Sequence, residues 1–495
     1  MVSEQMMCDR LFRNRYVKVT NSSDNKTFIG RVVAGPFFAP EEVAETSAVA
    51  FIPILRGMQE TVPYYSACHV EILGEYDGSL RATATRPLPN SDVYALTKKE
   101  IVSLIGIGGD LNIGELSGYE DIFVQLNSES KDVFPRHIGI FGTSGSGKST
   151  TEQTLVELLA ERGWAVVLID VEGEFVHMDK PQVEETLIEV LKKKYKEKPA
   201  GIARLKVYHP HGSDSPRKDS TEFSIRFDEM DLEILFEIIR ATEAQQRDLG
   251  QLIDDLRQQF GYQSSTDVGA RVNRIISGKK TKRYTLQDAM DVVNEMGTRT
   301  VLPAKLRQID RYQIFDQESS EVHAKDFLKN GQVNVIDVST VGDAVKNIVI
   351  AYVLREVFKE KIREPISTPK TFVVIEEAHT FVAKEAAEQM TATLDLLKLI
   401  SRRGRKRWLG LCFTSQQPGD LPPQIFELCN TRFIHQTKSQ YNMDILKRTT
   451  GGVTSDMWNI VPLLSKGEAI ITSPALSHPI MAKIRPPKSL RKFTE

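Results

Sequence analysis

Cysteine is scarce in this sequence. Cys8, Cys68, Cys412 and Cys429 are the only four in 495 residues, and none forms a C-x-x-C pair. Such scatter excludes a disulfide framework or a thiolate metal site as the basis of the fold, and it fits a reducing cytoplasm. Long apolar runs are missing too. No stretch of about eighteen apolar residues occurs, so no membrane span is expected. The segment Met1 to Val19 is polar and charged and lacks the apolar core of a secretory signal. Neither sign of charge dominates: 64 Lys and Arg face 66 Asp and Glu, for a net charge of −2. A nucleic-acid contact would therefore need basic residues gathered locally. Internal repeats and long low-complexity segments are also absent. What remains is 41% hydrophobic and 26% charged, an ordinary globular composition. The length suggests roughly two to four domains.

Against that plain background one segment stands out, Gly142-Thr143-Ser144-Gly145-Ser146-Gly147-Lys148-Ser149. It satisfies G-x-x-x-x-G-K-[ST] at every fixed position. The apolar run Ile138–Phe141 reads as a strand leading in, and Thr150 to Arg162 reads as a helix leading out. Glycines let backbone N–H groups turn toward phosphate oxygens, and the helix N-terminus adds its dipole. Gly142 to Thr150 are thus the candidate nucleotide cradle. Lys148 is assigned to the β- and γ-phosphates of ATP, and Ser149 to Mg²⁺.

The rest of the chain divides by pattern. Residues 1–125 read as short β-rich segments, among them Tyr16–Thr20, Phe28–Val33, Ala48–Ile54 and Ser66–Ile72, with Gly, Pro and Asn turns between them. A small N-terminal β-barrel or sandwich is expected. Glu100 to Leu104 fits a short helix or a strand equally well. Residues 126–227 and 331–485 read as α/β. Their apolar runs Ile138–Phe141, Ala165–Asp170, Arg204–His209, Gln332–Asp337, Thr371–Ile375 and Leu409–Ser415 end in polar residues, as buried parallel strands do. Arg432–Gln436 and Glu468–Thr472 are further candidates. Residues 228–330 carry a 3.6-residue periodicity and read as a helical insertion, with helices also around Leu286–Met296 and Val301–Tyr312. The basic patch Lys279 to Arg283 reads as a loop. Residues 486–495 form a short basic tail.

A phosphate loop needs acidic partners. Phe372-Val373-Val374-Ile375-Glu376-Glu377 supplies two at a strand's C-terminal end, the edge at which α/β sheets bind ligands. Glu376 is the candidate Mg²⁺ partner, acting through water. Glu377 is the candidate for polarising the attacking water. Glu376 lies 228 residues beyond Lys148. A minimal core does not need that much chain, so the insertion and at least one extra strand fall between them. Gln416, with Gln417 as the alternative, is placed to sense the γ-phosphate. Asp170, Glu172 and Glu174 close another strand at the same edge. Arg136 precedes the phosphate-loop strand and so lies far from its own nucleotide; in a ring it could serve a neighbour's. Arg402 and Arg403, in Ser401 to Arg407, are further candidates for phosphate sensing or nucleic-acid contact.

Taken in order, these motifs resemble the HerA-type hexameric DNA translocases of the HerA/FtsK branch of RecA-like P-loop ATPases. The resemblance rests on Arg136–Phe141 leading into Gly142–Ser149, Asp170–Phe175, Val335–Ser339, Ile375–His379, Arg402–Lys406, Thr414–Pro418 and Gly467–Ile471, and spans about residues 105–485. Asp170-Val171-Glu172-Gly173-Glu174 departs from the usual Asp-Pro-His/Lys-Gly-Glu wording. The resemblance implies a homohexamer that hydrolyses ATP with Mg²⁺ to move double-stranded DNA. Lys148, Glu376, Glu377 and Gln416 would come from one protomer, and Arg136, Arg402 or Arg403 from the next. It further implies a NurA-like nuclease or other effector partner, in DNA end repair or antiviral defence. An ATP-gated scaffold for an effector and a conjugation or secretion ATPase are the alternatives.

Overall fold

The computed structural model describes residues 13–40, 64–259, 284–295, 302–382 and 391–491. The expected strand Ala48–Ile54 and the basic patch Lys279 to Arg283 lie outside them. Thirteen strands form one sheet in the order β12-β11-β10-β13-β9-β14-β15-β8-β16-β17-β18-β6-β7. Its centre is parallel and fully buried: β9 (Ala165–Asp170), β14 (Thr371–Ile375), β15 (Leu409–Ser415), β8 (Ile138–Phe141) and β16 (Thr431–Ile434). Beyond β9 lie β13 (Val333–Asp337), β10 (Leu205–Pro210), β11 (Thr221–Ser224) and β12 (Ser320–Glu321), also parallel. Beyond β16 the sheet turns antiparallel through β17 (Glu468–Thr472), β18 (Ile480–Ile484), β6 (Leu111–Leu116) and β7 (Phe123–Leu126).

Alternation along each strand builds a core on both faces. Ala165, Val167 and Ile169 of β9 join the cluster that also holds the helical insertion. Val166 and Leu168 join the opposite cluster, with Leu155, Val156, Leu158 and Leu159 of the helix Lys148–Glu161. The described part of the insertion contributes helices Leu232–Ile238, Glu243–Gln259, Leu286–Glu295 and Leu302–Asp310.

A separate five-stranded sheet has the order β4-β3-β2-β1-β5, with β1 at Tyr16–Thr20, β2 at Thr27–Pro40, β3 at Tyr64–Tyr76, β4 at Leu80–Arg81 and β5 at Asp92–Ala95. Among the described residues β4 and β5 do not pair, so no closed barrel is seen there. Residues 111–125, expected in the N-terminal unit, pair into the large sheet instead, together with Leu126. Glu100 to Leu104 resolve as part of a helix, Lys98–Ile105, started by a Thr97/Glu100 capping box and ended by Gly106 at φ 79°.

Candidate active site

Every central parallel strand ends at one edge of the sheet, and the candidate chemistry collects there. The loop from Gly142 to Gly147 leaves the tip of β8. Gly145 and Gly147 adopt φ of 75° and 113°, conformations open to glycine. A Cβ on Gly147 would stand 2.8 Å from the backbone of Gly467, so the loop is also clamped from behind. Thr143 donates its N–H to the Gln436 carbonyl at 2.8 Å, and Gly467 donates to the Ser146 carbonyl at 2.9 Å. Lys148 begins the helix, and its Nζ donates to the Thr143 carbonyl at 3.2 Å. Burial pulls the Lys148 pKa down, against the opposing pull of Glu377, Glu152, Glu376 and Glu174.

The strand carrying the acids, β14, is separated from β8 by β15. The extra strands inferred from the spacing between Lys148 and Glu376 are β9, β10, β11, β12 and β13. The two acids sit in different environments. Glu376 is buried, and its Oε2 accepts from the Val171 N–H at 2.9 Å. Desolvation first, then the nearby charges of Glu152 and Asp170, push its pKa well above the usual carboxylate range. Glu377 takes the left-handed conformation, φ 42° and ψ 52°. Burial would raise its pKa. Its hydrogen bonds with His379 and the Gln416 amide, together with the charge of Lys148, hold it lower, so it stays ionised. Its Oε2 lies 3.1 Å from the Gln416 nitrogen and 3.3 Å from His379 Nδ1. Glu376 thus sits among other acids with its pKa raised, while Glu377 stays a carboxylate.

Gln416 meets Glu377 directly through its backbone amide. Asp170 serves the architecture of its own loop: its carboxylate accepts from the Gly173, Glu174 and Phe175 N–H groups at 2.7, 3.1 and 2.8 Å. Arg136 lies in the short turn Phe134–Arg136, at the opposite end of β8 from the phosphate loop. There it pairs with Asp132 at 3.0 Å, and Arg405 pairs with the same carboxylate at 3.2 Å. Arg402 and Arg403 are exposed in the last turn of the helix Thr391–Gly404. The fold therefore joins the two arginine groups to each other and separates them from this chain's own phosphate loop.

Sequence reasoning missed two residues here. Glu152 lies one turn into the phosphate-loop helix, buried, with Oε1 lacking a hydrogen-bond partner among the described residues. His435, at the end of β16, contacts Thr151 Oγ1 through Nε2 and the Glu468 carbonyl through Nδ1, each at 2.8 Å. Burial lowers its pKa to about 4, so the ring is neutral and Nδ1 carries the donated proton. Neither residue belongs to a recognisable motif; only the invasion of polar groups into an otherwise apolar helix face hints at Glu152.

A glycine cradle at a helix N-terminus, an inserted strand and a paired-acid strand define a RecA-like P-loop ATPase. The structure of VirB4 from Thermoanaerobacter pseudethanolicus shares this fold: TM-score 0.53, 17% identity, covering 76% of this chain and 96% of that one. Residues 111–357 match the family described as helicase HerA, central domain, and the chain belongs to that family. Among its relatives is the DNA double-strand break repair helicase HerA of Saccharolobus solfataricus, 25% identical over 88% of this chain and 80% of that protein. The protein of the same description from Sulfurisphaera tokodaii is 23% identical over 97% of this chain and 90% of its own length. No helix among the described residues is long and apolar enough to cross a membrane.

Proposed function

We propose that the chain is an ATP-driven DNA translocase of the helicase kind, acting on duplex DNA as a homohexameric ring. One observation carries the reading. The phosphate loop and the Asp132-linked arginines Arg136 and Arg405 occupy opposite edges of a single sheet. Arginines placed so serve a phosphate only on another subunit. The relatives named as double-strand break repair helicases support DNA as the substrate.

In this reading Lys148 neutralises the β- and γ-phosphates, and the N–H groups of residues 142–150 cradle them. Glu377, already ionised, accepts a proton from the attacking water, and Gln416 reports the γ-phosphate to the neighbouring strand tip. Mg²⁺ would supply further charge neutralisation at the phosphates. Ser149 and, through water, Glu376 would hold it, and the unpaired Glu152 oxygen nearby fits a site built to receive a cation. Arg136 with Arg402 or Arg403 of the adjacent subunit stabilises charge as the γ-phosphate leaves. Loss of that phosphate loosens the interface and moves the DNA. A nuclease or other effector working on the same DNA completes the assignment.

The test is ATP turnover with and without linear duplex DNA across a salt series. DNA should stimulate turnover, and the stimulation should fade as salt rises because the contacts are to phosphates. Turnover indifferent to DNA overturns the translocase. Glu377→Gln should lower kcat by about 10²- to 10⁴-fold while ATP binding persists. Retained turnover would take Glu377 out of the mechanism.

A further inference from the structure

The phosphate-loop helix buries an unexpected polar face, made of Gln153, Thr154 and Glu157. The segment from Arg485 to Arg491 lies on it. Thr154 Oγ1 donates to the Arg485 carbonyl at 3.1 Å. Glu157 accepts the Lys488 N–H at 2.8 Å and the Ser489 N–H and Oγ–H at 2.7 and 2.5 Å. Gln153 Nε2 donates to the Ser489 carbonyl at 3.0 Å. The other side of the segment is tied to residues 180–182: Leu490 donates to the Lys180 carbonyl and Gln182 to the Lys488 carbonyl, each at 2.8 Å. So many bonds fix where the next side chain goes.

That side chain is Arg491. Its Nη1 stands 3.5 Å from Glu174 Oε2, and both side chains are largely buried, 14% and 18% exposed. Glu174 follows the tip of β9, its N–H fixed on Asp170. Its charge acts on both Lys148 and Glu377. An unpaired carboxylate there would compete with a triphosphate for Lys148 and repel the phosphates themselves.

We propose that Arg491 is a positioning residue of the nucleotide site: anchored in cis along the phosphate-loop helix, it holds and neutralises Glu174 so that Lys148 stays available to ATP. The proposal rests on the ATPase reading of this site. It also gives the segment after β18 a role within its own subunit.

The test is steady-state ATP turnover by the full chain carrying R491Q, R491K, E174Q or the R491Q/E174Q pair. R491Q should raise KM for ATP roughly three- to tenfold with kcat within about twofold, the signature of lost ground-state binding. R491K keeps the charge and should lie nearer wild type. The double variant should return KM toward wild type, because removing the carboxylate removes the need for its partner. A KM as high in the double variant as in R491Q makes Arg491 merely structural and overturns the proposal, as does an unchanged KM in R491Q beside an active wild type. A wild-type chain that turns over no ATP overturns the reading beneath it, and the proposal falls with it.

Discussion

Ten of the described non-glycine residues hold positive φ, Glu377 at 42° and His137 at 61° among them. Each such residue costs on the order of 1 kcal/mol, so the surroundings must impose it. For Glu377 the surroundings are the Gln416 amide and His379, which hold the carboxylate in place. For His137 they are structural. The ring is buried, and its Nδ1 accepts from the Leu411 N–H at 2.8 Å, joining the start of β8 to β15. Burial lowers its pKa from 6.5 to about 4. The unfolded chain therefore takes up this proton as pH falls through about 6.5, while the fold resists until about 4, and stability is lost across that window. His137→Asn keeps an acceptor and tolerates positive φ but does not titrate. Between pH 7 and 5 the variant should lose about 2 kcal/mol less stability than wild type, read from urea midpoints at the two values. Parallel loss in both chains would remove His137 as a source of acid sensitivity. Nothing in the sequence separates this histidine from any other beside a strand, whereas the adjacent acids of Glu376-Glu377 declare themselves.

At the level of elements the sequence was most legible where burial is complete. β8, β9, β14 and β15 fall on the expected residues because central strands are continuous apolar runs bounded by polar tips, and β17, beyond them, does so with a buried apolar middle. The half-exposed and short strands were less visible. β6, β7, β11 and β18 carry weaker patterns, and the pairing of β6 with β18 is non-local and leaves no local signal in the sequence. The helix at Lys98 was ambiguous by periodicity, although Thr97-x-x-Glu100 marks its start. Caps supplied from a distance are illegible altogether. Glu237, in the insertion helix Leu232–Ile238, accepts the N–H groups of Ala392 and Thr393 at 2.5 and 3.1 Å and the Thr391 and Thr393 hydroxyls at 3.2 and 3.1 Å. It caps the helix Thr391–Gly404, whose last turn carries Arg402 and Arg403. Glu237→Ala should cost about 1–2 kcal/mol and speed amide exchange selectively in the first turn of that helix. Exchange that rises evenly through the sheet, or not at all there, would count against a capping role.

For the whole molecule the decisive geometry is the length of β8. Its four residues hold its two ends roughly 13 Å apart, with Arg136 before the first and the phosphate loop after the last. Asp132 holds Arg136 and Arg405 together on that edge, although the partly exposed pairs add little stability by themselves. In the proposed mechanism such a protomer would carry half of a site on each of two surfaces, and a heterologous contact of that kind forms a ring where its rotation closes. The consequence is complementation. Lys148→Ala and Arg136→Ala chains should each be nearly inactive alone, one through its own phosphate loop and the other through its neighbour's missing arginine. Mixed in equal amounts and allowed to exchange subunits, they form about a quarter of interfaces in which an intact Lys148 faces an intact Arg136. ATP turnover should then recover to about that fraction of the wild-type rate, provided the sites act independently. A mixture no more active than its components would show that Arg136 serves no other subunit's nucleotide, and the ring mechanism would lose its interface.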